Sequence, residues 1–456
     1  MEFDIVYYLP LFMFAALGVL LFSGYPVAFV LGGVGLAFGF IGMALDAFHF
    51  IQFFSLESRI WGAIAENLVL TAIPMFIFMG TMLERSGVAS DLLHCLQVLL
   101  RRVPGGLALS VTLMGTIMAA TTGIIGASVV MMTLLALPVM LKRDYNIPLA
   151  TGTIAASGTL GILIPPSIML VIMAELLARS VGNLFVAAII PGFMLAAFYM
   201  LYILVLCSFK PKLAPPLPED EGPDTLGGIL KMVVLSFIPP LFLVFLVLGS
   251  ILFGWATPTE AAGVGGAGAI FLALLKGRLN FAVLKDVVER SALTGGMLFG
   301  IFLGATCFSY VFRVLGGDFL VTDLVEGFGL GPWGLLFVLM GLVFFLGFFF
   351  DWIEITLIVL PVFSPIIAEL NFGDHVAHRD VVYWFAILLA VNLQTSFLTP
   401  PFGFALFYMK GVAPPEVRIQ QVYKGIIPFV LLQLVGLGLI MAFPELALWL
   451  PRLLLN

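Results

Sequence analysis

Residues 155–167 read Ala-Ala-Ser-Gly-Thr-Leu-Gly-Ile-Leu-Ile-Pro-Pro-Ser, and residues 392–403 read Asn-Leu-Gln-Thr-Ser-Phe-Leu-Thr-Pro-Pro-Phe-Gly. Each stretch is a polar patch closed by two prolines inside long apolar sequence. Backbone without helical partners persists at membrane depth only where protein buries it or where it lines a cavity. A break of this kind that occurs twice predicts two half-sites of a membrane transporter.

The composition around these stretches is that of an all-α polytopic membrane protein. Hydrophobic residues make up 62 % of the chain, charged residues make up only 10 %, and the mean hydropathy is +1.18. A soluble globular protein has roughly 25 % charged residues, so that class is excluded. At about 20 residues per span, the 456 residues accommodate on the order of ten crossings and a pair of re-entrant segments.

The motifs of enzymes and ATP-driven pumps find no convincing match in this sequence. Residues 263–268 satisfy the dinucleotide fingerprint, but they lie in an apolar span without a preceding strand, which favours close helix packing. His375 and His378 form a close pair, for which a solvated loop is favoured over a metal site. No Walker-type loop or Ser-His-Asp constellation is present. We therefore predict that the chain is not an enzyme and binds no nucleic acid.

The chain divides into two halves of similar order, joined by a hydrophilic segment. We predict repeat A at residues 1–209, a cytoplasmic linker at 210–230 and repeat B at 231–456. Each repeat is expected to contain a re-entrant helical hairpin followed by a broken helix. The hairpins are predicted at about 105–143 and 331–370, and the broken helices at about 147–180 and 381–411.

The positions of the basic residues predict on which side of the membrane each segment lies. With the N-terminus outside, fifteen of the twenty Lys and Arg residues fall on the cytoplasmic side, in agreement with the positive-inside bias. The other five fall outside, and they are Arg59, Arg179, Arg313, Arg379 and Arg452.

With this orientation, equivalent elements of the two repeats carry opposite charge. The arm before the first hairpin ends in Arg101 and Arg102, whereas its counterpart before the second carries Asp318, Asp323 and Glu326. This reversal favours inverted-topology repeats over the alternative of two unrelated loops.

Both predicted hairpin tips contain residues suited to an ion site. The first tip, residues 121–128, is rich in small and hydroxyl residues, and the second, residues 347–356, places Asp351 and Glu354 in apolar sequence. An ionisable side chain at membrane depth costs at least roughly 2.5 to 3.5 kcal/mol, which makes it a functional candidate. The alternative is that Asp351 caps the following helix with Glu354 as its capping-box partner.

The two breaks supply further oxygen ligands. A proline has no amide hydrogen, so each Pro-Pro pair frees backbone carbonyls upstream. Together with nearby hydroxyl groups and the Asp351 carboxylate, these carbonyls form the hard-oxygen shell that a small cation such as Na⁺ requires. The helix N-termini beyond the breaks would face an anionic substrate. A helix kink, with Ser and Thr bonded to their own backbone, is the alternative.

Several of these segments resemble one transporter family. Gly-Ile-Leu-Ile-Pro-Pro-Ser-Ile at 161–168, Ala-Ile-Pro-Met-Phe-Ile-Phe-Met-Gly at 72–80 and Leu-Thr-Pro-Pro-Phe-Gly at 398–403 resemble the large membrane subunit of TRAP transporters, the tripartite ATP-independent periplasmic type. Residues 350–355, 391–397 and 404–408 look most like the branch labelled mannitol/chloroaromatic.

The resemblance implies a Na⁺-coupled secondary transporter of a bacterial or archaeal inner membrane that moves its site by an elevator motion. It implies two protein partners, a small four-helix membrane subunit and a periplasmic substrate-binding protein, within membrane lipid. The substrate class implied is a small organic acid, namely a 2-oxo acid, a hydroxy acid or a dicarboxylate. Na⁺ is the coupling ion, and no cofactor is expected.

The resemblance also implies that hairpin tips and adjacent unwound helices bind Na⁺, which carries over to Ser128, Asp351 and the segments at Ser157 and 395–399. The residues and the resemblance together give the following candidates. The candidate Na⁺ ligands are Gly126, Ser128, Ser157, Thr159, Asp351, Thr356, Thr395 and Thr399. The candidate substrate-binding residues are Ser157, Gly158, Ser167, Asn392, Gln394 and Ser396. The prolines that close the breaks are Pro165, Pro166, Pro400 and Pro401.

Two other functions stay open at this level. One is a channel or proton-translocating subunit of a larger membrane complex, with Asp351 and Glu354 in a proton path. The other is a transporter that works without a binding protein. The three functions differ in whether transport requires a Na⁺ gradient, the small subunit and the loaded binding protein.

Overall fold

The computed structural model describes residues 5–122, 125–216, 222–223, 225–327, 329–400 and 403–454. All regular secondary structure in these ranges is helical, which confirms the all-α class. Nine helical segments within them are long and apolar enough to cross a membrane. In hydrocarbon every backbone polar group needs an internal partner, and a helix provides one within a single segment. The chain is thus a multi-pass membrane protein.

The first half of the chain, as far as it is described, contains ten α-helices. They are α1 Leu9–Leu21, α2 Val27–Ala44, α3 Phe50–Ile60, α4 Ala72–Arg85, α5 Val88–Leu99, α6 Gly106–Thr122, α7 Ile125–Lys142, α8 Ile147–Thr159, α9 Ile168–Leu176 and α10 Val181–Phe209. A π-helical turn, Trp61–Ala65, extends α3. Short 3₁₀ turns are Leu68–Thr71, Leu160–Ile162 and Pro211–Leu213.

The second half contains eleven α-helices in its described part. They are α11 Leu226–Met232, α12 Ile238–Leu252, α13 Pro258–Leu275, α14 Phe281–Val314, α15 Gly317–Gly327, α16 Pro332–Leu346, α17 Trp352–Glu369, α18 Val381–Ser396, α19 Phe404–Val412, α20 Ile419–Ala442 and α21 Glu445–Leu454. The π-helical turn Val233–Phe237 joins α11 to α12, and the 3₁₀ turns Gly373–His375 and His378–Asp380 precede α18. Helix α11 begins inside the segment 210–230 that the sequence predicts as linker, because Thr225 caps it by accepting from the Gly228 amide at 3.2 Å.

Two pairs of helices form hairpins, α6 with α7 and α16 with α17, each preceded by a shorter helix, α5 or α15. The helical part of each tip is larger than the sequence predicts. Gly126 and Ser128 lie in the first turn of α7, and Thr356 lies inside α17. Residues 123 and 124 of the first tip are outside the described ranges. The tips therefore present helix N-termini to their surroundings.

Glycines set the closest helix crossings near the breaks. A Cβ atom built on Gly152 of α8 would lie 2.2 Å from the carbonyl oxygen of Gly425 in α20. In another part of the protein, a Cβ on Gly304 of α14 would lie 2.4 Å from the carbonyl oxygen of Ala28 in α2. Two packed groups follow from these contacts. Helix α14 packs against α2 and α4, and α13 packs against α4, while α6, α7 and α20 surround α8.

Candidate functional site

The first break separates α8 from α9. Pro166 has no amide hydrogen to donate to the Ile162 carbonyl, and the Ser167 hydroxyl donates to this oxygen instead, at 2.5 Å. The Ser167 Oγ also accepts from the Leu170 amide at 3.5 Å, as the N-cap of α9. Pro165 and Pro166, joined by a cis peptide bond, are both buried. Ser167 therefore ties the two sides of the break together.

The second break separates α18 from α19. At the end of α18 the Thr399 amide donates to the Ser396 carbonyl, three residues back, at 3.1 Å. Pro400 follows, and Pro401 lies outside the described residues. Gly403 precedes α19 with a φ of +43°, where a Cβ would lie 3.0 Å from the Phe397 carbonyl oxygen. Glycine is the residue that tolerates this left-handed backbone and close approach.

The two breaks meet in the interior. The Gln394 side-chain amide of α18 donates to the Thr159 hydroxyl of α8 at 3.4 Å, across 235 residues of sequence. Both side chains are fully buried. The side-chain oxygen of Gln394, Oε1, is also buried, and it has no hydrogen-bond partner within the described part of the chain. A buried acceptor oxygen without a donor costs free energy unless a ligand or water reaches it.

The first hairpin packs directly against the first break. The Ser157 hydroxyl donates to the Thr112 hydroxyl of α6 at 3.2 Å. A Cβ on Gly115 of α6 would lie 2.8 Å from Ser157 Cβ, and one on Gly158 would lie 2.5 Å from the side chain of Val129 in α7. Val129 follows Ser128, so the predicted tip ligand Ser128 lies beside the Ser157 and Gly158 segment.

The second hairpin packs in the same way against the second break. The Asn392 side-chain amide donates to the Met340 carbonyl of α16 at 2.7 Å. A Cβ on Gly347, at the end of α16, would lie 1.9 Å from Ser396 Oγ and 2.4 Å from Ser396 Cβ. The absence of a side chain at position 347 is thus what allows the tip to touch the break.

Asp351 begins α17 as its N-cap. Its Oδ1 accepts from the Trp352 amide at 2.8 Å, and Glu354 Oε2 accepts from the Asp351 amide at 3.2 Å. Asp351 and Glu354 thus form the capping box that the sequence allows as an alternative to an ion site. A cap uses only part of a carboxylate's acceptor capacity, since two oxygens carry about four lone-pair positions. The capping geometry is therefore compatible with a cation at Asp351.

The hydroxyl groups near the second break bond to their own helices. Thr356 donates to the Trp352 carbonyl at 2.5 Å, Thr395 to the Val391 carbonyl at 2.8 Å and Thr399 to the Thr395 carbonyl at 2.8 Å. This back-bonding also occurs in kinked helices without ligands. A hydroxyl that donates its proton keeps its oxygen lone pairs for a cation, so the geometry fits an oxygen shell as well.

The predicted site residues differ in which elements they connect. Thr159 and Gln394 join the two breaks, whereas Ser157, Gly158, Asn392 and Ser396 join a break to its own hairpin. Ser167 joins the two sides of its own break. The others bond within one element, and they are Asp351, Thr356, Thr395 and Thr399. Gly126 in α7 instead faces α19, where its Cβ would lie 3.0 Å from the ring of Tyr408.

Four positions at this site escape prediction from the sequence. They are Thr112, Gly115, Gly347 and Tyr408. A signal for Thr112 exists in the apolar first arm, where Thr112 and Thr116 place hydroxyl groups four residues apart on one face of a helix. Gly115 and Gly347 have none, because the chain contains 48 glycines and only the fold shows which of them make close contacts.

Comparisons with known proteins identify relatives over most of the chain. Residues 14–446 match the family model described as the tripartite ATP-independent periplasmic transporter, DctM component. The C4-dicarboxylate TRAP transporter large permease protein DctM of Pseudomonas aeruginosa is 30 % identical over 85 % of this chain and 87 % of its own. The sialic acid TRAP transporter large permease protein SiaM of Vibrio cholerae is 28 % identical over 96 % of this chain and 97 % of its own.

A solved structure shares the fold at lower identity. The Alcanivorax borkumensis YdaH transporter, whose crystal structure is described as revealing an unusual topology, has a TM-score of 0.58 at 16 % identity, with 88 % of each chain covered. The two large permease relatives are named for a C4-dicarboxylate and for sialic acid. Those names give no support to the narrower resemblance to the mannitol/chloroaromatic branch.

Proposed function

Because the chain belongs to the DctM component family of tripartite ATP-independent periplasmic transporters, we propose that it is the large permease subunit of a Na⁺-coupled importer of a small organic acid. The observation that carries this proposal is the meeting of the two breaks, where Gln394 reaches Thr159 across the chain. Broken helices that meet inside a membrane protein are the usual place for a substrate and its coupling ions.

The coupling ion is proposed to bind among oxygens of the tips and breaks. Asp351 supplies the carboxylate, and the Ser157, Thr159, Thr395 and Thr399 hydroxyls supply neutral oxygens. Oxygen ligands of this kind suit a hard cation, whereas soft metals prefer sulfur. Each net positive charge carried inward gains roughly 2.3 kcal/mol per 100 mV of membrane potential, so Na⁺ entry would drive the accumulation of an anion.

The substrate is proposed to be a 2-oxo acid, a hydroxy acid or a dicarboxylate held between the two breaks. The N-terminal ends of α9 and α19 lie beyond the two breaks, and a helix N-terminus favours a carboxylate. The side chains of Asn392 and Gln394 are buried nearby. The names of the relatives, a C4-dicarboxylate and sialic acid permease, support an acidic substrate.

Matched packing in the two halves supports inverted repeats. The hairpin α6–α7 contacts α8, and the hairpin α16–α17 contacts α18. The second arm of each hairpin also contacts the helix beyond the other break, α7 with α19 and α17 with α9. We propose that this interlocked unit moves as the elevator against the group formed by α2, α4, α13 and α14.

The partners are proposed to be a small four-helix membrane subunit and a periplasmic binding protein that delivers the acid. The test is uptake into proteoliposomes that contain the chain and its cognate small subunit. Binding protein loaded with labelled pyruvate, lactate or succinate is added in turn, with and without an inward Na⁺ gradient. We expect uptake of one acid only when the gradient, the small subunit and the loaded binding protein are all present.

Two outcomes would contradict the proposal. Ionic current without the partners would indicate a channel or a proton-translocating subunit. Uptake of free acid without the binding protein would indicate a transporter that needs no delivery.

A further inference from the structure

A cavity of about 300 Å³, lined by apolar and charged side chains, lies apart from the two breaks. Its walls come from α3, α9, α14 and α17, and its polar lining includes Arg59, Glu175, Thr306, Ser309 and Arg313. The two arginines carry two positive charges and Glu175 carries one negative charge, so the lining itself has one net positive charge. Asp318 lies outside the lining, with a carboxylate oxygen 3.8 Å from Arg313 Nε. Cavities with an excess of one sign concentrate ions of the opposite sign.

Arg59 is held in place without being neutralised. Its guanidinium carbon lies 4.9 Å from the centre of the Tyr310 ring, and the Tyr310 hydroxyl donates to the Gln52 carbonyl at 2.9 Å. No carboxylate of the described residues lies within 4.0 Å of the Arg59 guanidinium. A cation–π contact of this kind does not use the five N–H donors of an arginine. Arg59 is thus a fixed cation with donors to spare.

Arg313 is held by a backbone defect in α17. Residue 365 is a proline, so it cannot donate to the Pro361 carbonyl one turn earlier. The Arg313 guanidinium donates to that carbonyl at 2.6 Å through Nη2. Its Nε lies 3.8 Å from an Asp318 oxygen, beyond ordinary hydrogen-bond length. Arg313 therefore contributes charge to the cavity and is anchored on the side of the second hairpin.

Two hydroxyl groups complete the lining. Thr306 donates to the Phe302 carbonyl at 2.8 Å, whereas Ser309 Oγ has no hydrogen-bond partner among the residues described. Rotation about the Ser309 χ1 bond would turn this donor without breaking an existing bond. A carboxylate accepts from guanidinium and hydroxyl groups together, and bidentate arginine contacts are the strongest of these.

The cavity lies along the two helices that start at the candidate site, at the end of α9 and in the middle of α17. Glu175 lines it from α9, and Leu357 and Pro361 line it from α17. At 1.5 Å per residue, the seven steps from the start of α9 and the five to nine steps from the start of α17 place the cavity roughly 8 to 14 Å from the site ends of these helices. Arg59 and Arg313 are both among the five basic residues that the charge bias places outside.

We propose that this cavity is a second, outer binding site for an organic carboxylate anion, with Arg59 and Arg313 as its binding residues. An anion held there would precede the one between the breaks on the route inward. This order of events rests on the proposed import function, whereas binding in the cavity does not. The closing experiment therefore measures occupancy without transport.

The experiment is protection of arginine from phenylglyoxal, with succinate as the probe. The full-length chain is placed in lipid nanodiscs without a gradient or partners, and modification of each arginine is followed by peptide mass spectrometry. At succinate concentrations about ten times the dissociation constant, modification of Arg59 should slow about tenfold, because only the unoccupied fraction reacts. The concentration that gives half protection measures the affinity.

Arg179 is the matched control inside the same chain. It also stacks on a tyrosine, with its guanidinium carbon 5.9 Å from the Tyr383 ring centre, but it does not line the cavity. Equal slowing at Arg179, or equal protection by neutral succinamide, would overturn the proposal. Protection should persist in a Gln394→Ala variant, and its loss there would place the effect at the breaks.

Uptake kinetics give a second readout for the two arginines. Arg59→Gln is expected to raise KM for the delivered acid several-fold and to leave kcat unchanged, while Arg179→Gln changes neither value. A loss of kcat with an unchanged KM in Arg59→Gln would contradict a binding role. Because protection needs no transport, failure of the import proposal and failure of this one produce different results.

Discussion

Asp351 shows how one residue satisfies two physical demands. Its carboxylate caps α17, together with Glu354, and so relieves the unpaired amides of a helix start. The same carboxylate stands at the tip of a hairpin in apolar surroundings, where a charge without a partner is costly. At the opposite extreme, Gly347 contributes only by lacking a side chain next to Ser396. Both residues can be tested by substitutions that separate shape from charge.

Replacing Asp351 separates its capping role from an ion-binding role. Asn caps helices about as well as Asp does, so Asp351→Asn should keep the melting temperature and lose Na⁺-dependent uptake. Asp351→Ala should lose uptake and also about 0.5–2 kcal/mol of stability. Thermal unfolding and Na⁺ titrations of uptake measure the two effects. Unchanged Na⁺ dependence of uptake in Asp351→Asn would show that Asp351 acts only as a helix cap.

Adding one methyl group at Gly347 should push the second hairpin off its break. The φ of −65° at this residue accepts alanine, but the new Cβ would lie 2.4 Å from Ser396 Cβ, which cannot rotate away. Overpacking of this kind costs about 1–3 kcal/mol, so Gly347→Ala should lower both the melting temperature and the uptake rate. Gly341→Ala in the same helix is the control, because nothing lies within 4 Å of its Cβ. Similar behaviour of the two variants would argue against the contact.

At the scale of elements, the decisive features are where helices start and stop. In both sequence and structure, two prolines close the irregular segment after α8 and Pro400 follows the end of α18, since a proline lacks the amide that would continue a helix. Caps extend helices beyond the apolar runs. Asp351 does so for α17, and Asn280 does so for α14, where the side-chain oxygen of Asn280 accepts from the Val283 amide at 2.8 Å. The break positions are therefore predictable from sequence, while the exact tips depend on local bonds.

The crossing of α8 and α20 should depend on Gly152. Helix α8 leads into the first break, and a Cβ at Gly152 would meet the backbone carbonyl of Gly425 at 2.2 Å. Backbone cannot move aside without displacing the whole helix, so Gly152→Ala should destabilise the protein by about 1–3 kcal/mol or more. The melting temperature of purified protein measures this. Gly438→Ala, on an open face of α20, should leave it unchanged.

At the scale of the whole molecule, ion pairs join segments that are far apart in sequence. Arg85 at the end of α4 pairs with Asp286 of α14 at 2.8 Å, and Lys276 pairs with Asp91 of α5. At the other end of the chain, Arg452 of α21 reaches Asp380, just before α18, at 2.8 Å. These pairs connect surface segments outside the apolar spans and fasten the short helices to the main bundle.

The Arg452 contact should stabilise the C-terminal helix measurably. Arg452 donates to Asp380 through Nε and Nη2, at 3.0 and 2.8 Å, and to Glu445 through Nη1. Bonds to charged groups contribute about 1.5–3 kcal/mol, so Arg452→Gln should lower the melting temperature and expose α21 to proteolysis. Arg379 lies 3.8 Å from the same Asp380, but its side chain is 73 % exposed. Arg379→Gln should therefore have no measurable effect.

The orientation in the membrane also has a direct test. Single cysteines at the exposed positions Asp374 and Lys212 test the sides of the membrane that the charge bias assigns. Asp374 is assigned to the outside and Lys212 to the inside. The native Cys95, Cys207 and Cys307 are buried and should react slowly. In right-side-out spheroplasts, a membrane-impermeant maleimide should label Asp374→Cys and spare Lys212→Cys. The reverse pattern would invert the proposed topology.

The sequence by itself determined the class of the protein, the two breaks and most of the polar residues near them. These features are local, because apolar length, proline and buried charge have the same consequences in any fold. Only the tertiary structure decided which residues meet. The contacts between Gln394 and Thr159, Gly347 and Ser396, and the arginines of the outer cavity link segments far apart in the chain. Such contacts depend on how helices cross in three dimensions, and no local pattern in the sequence records that.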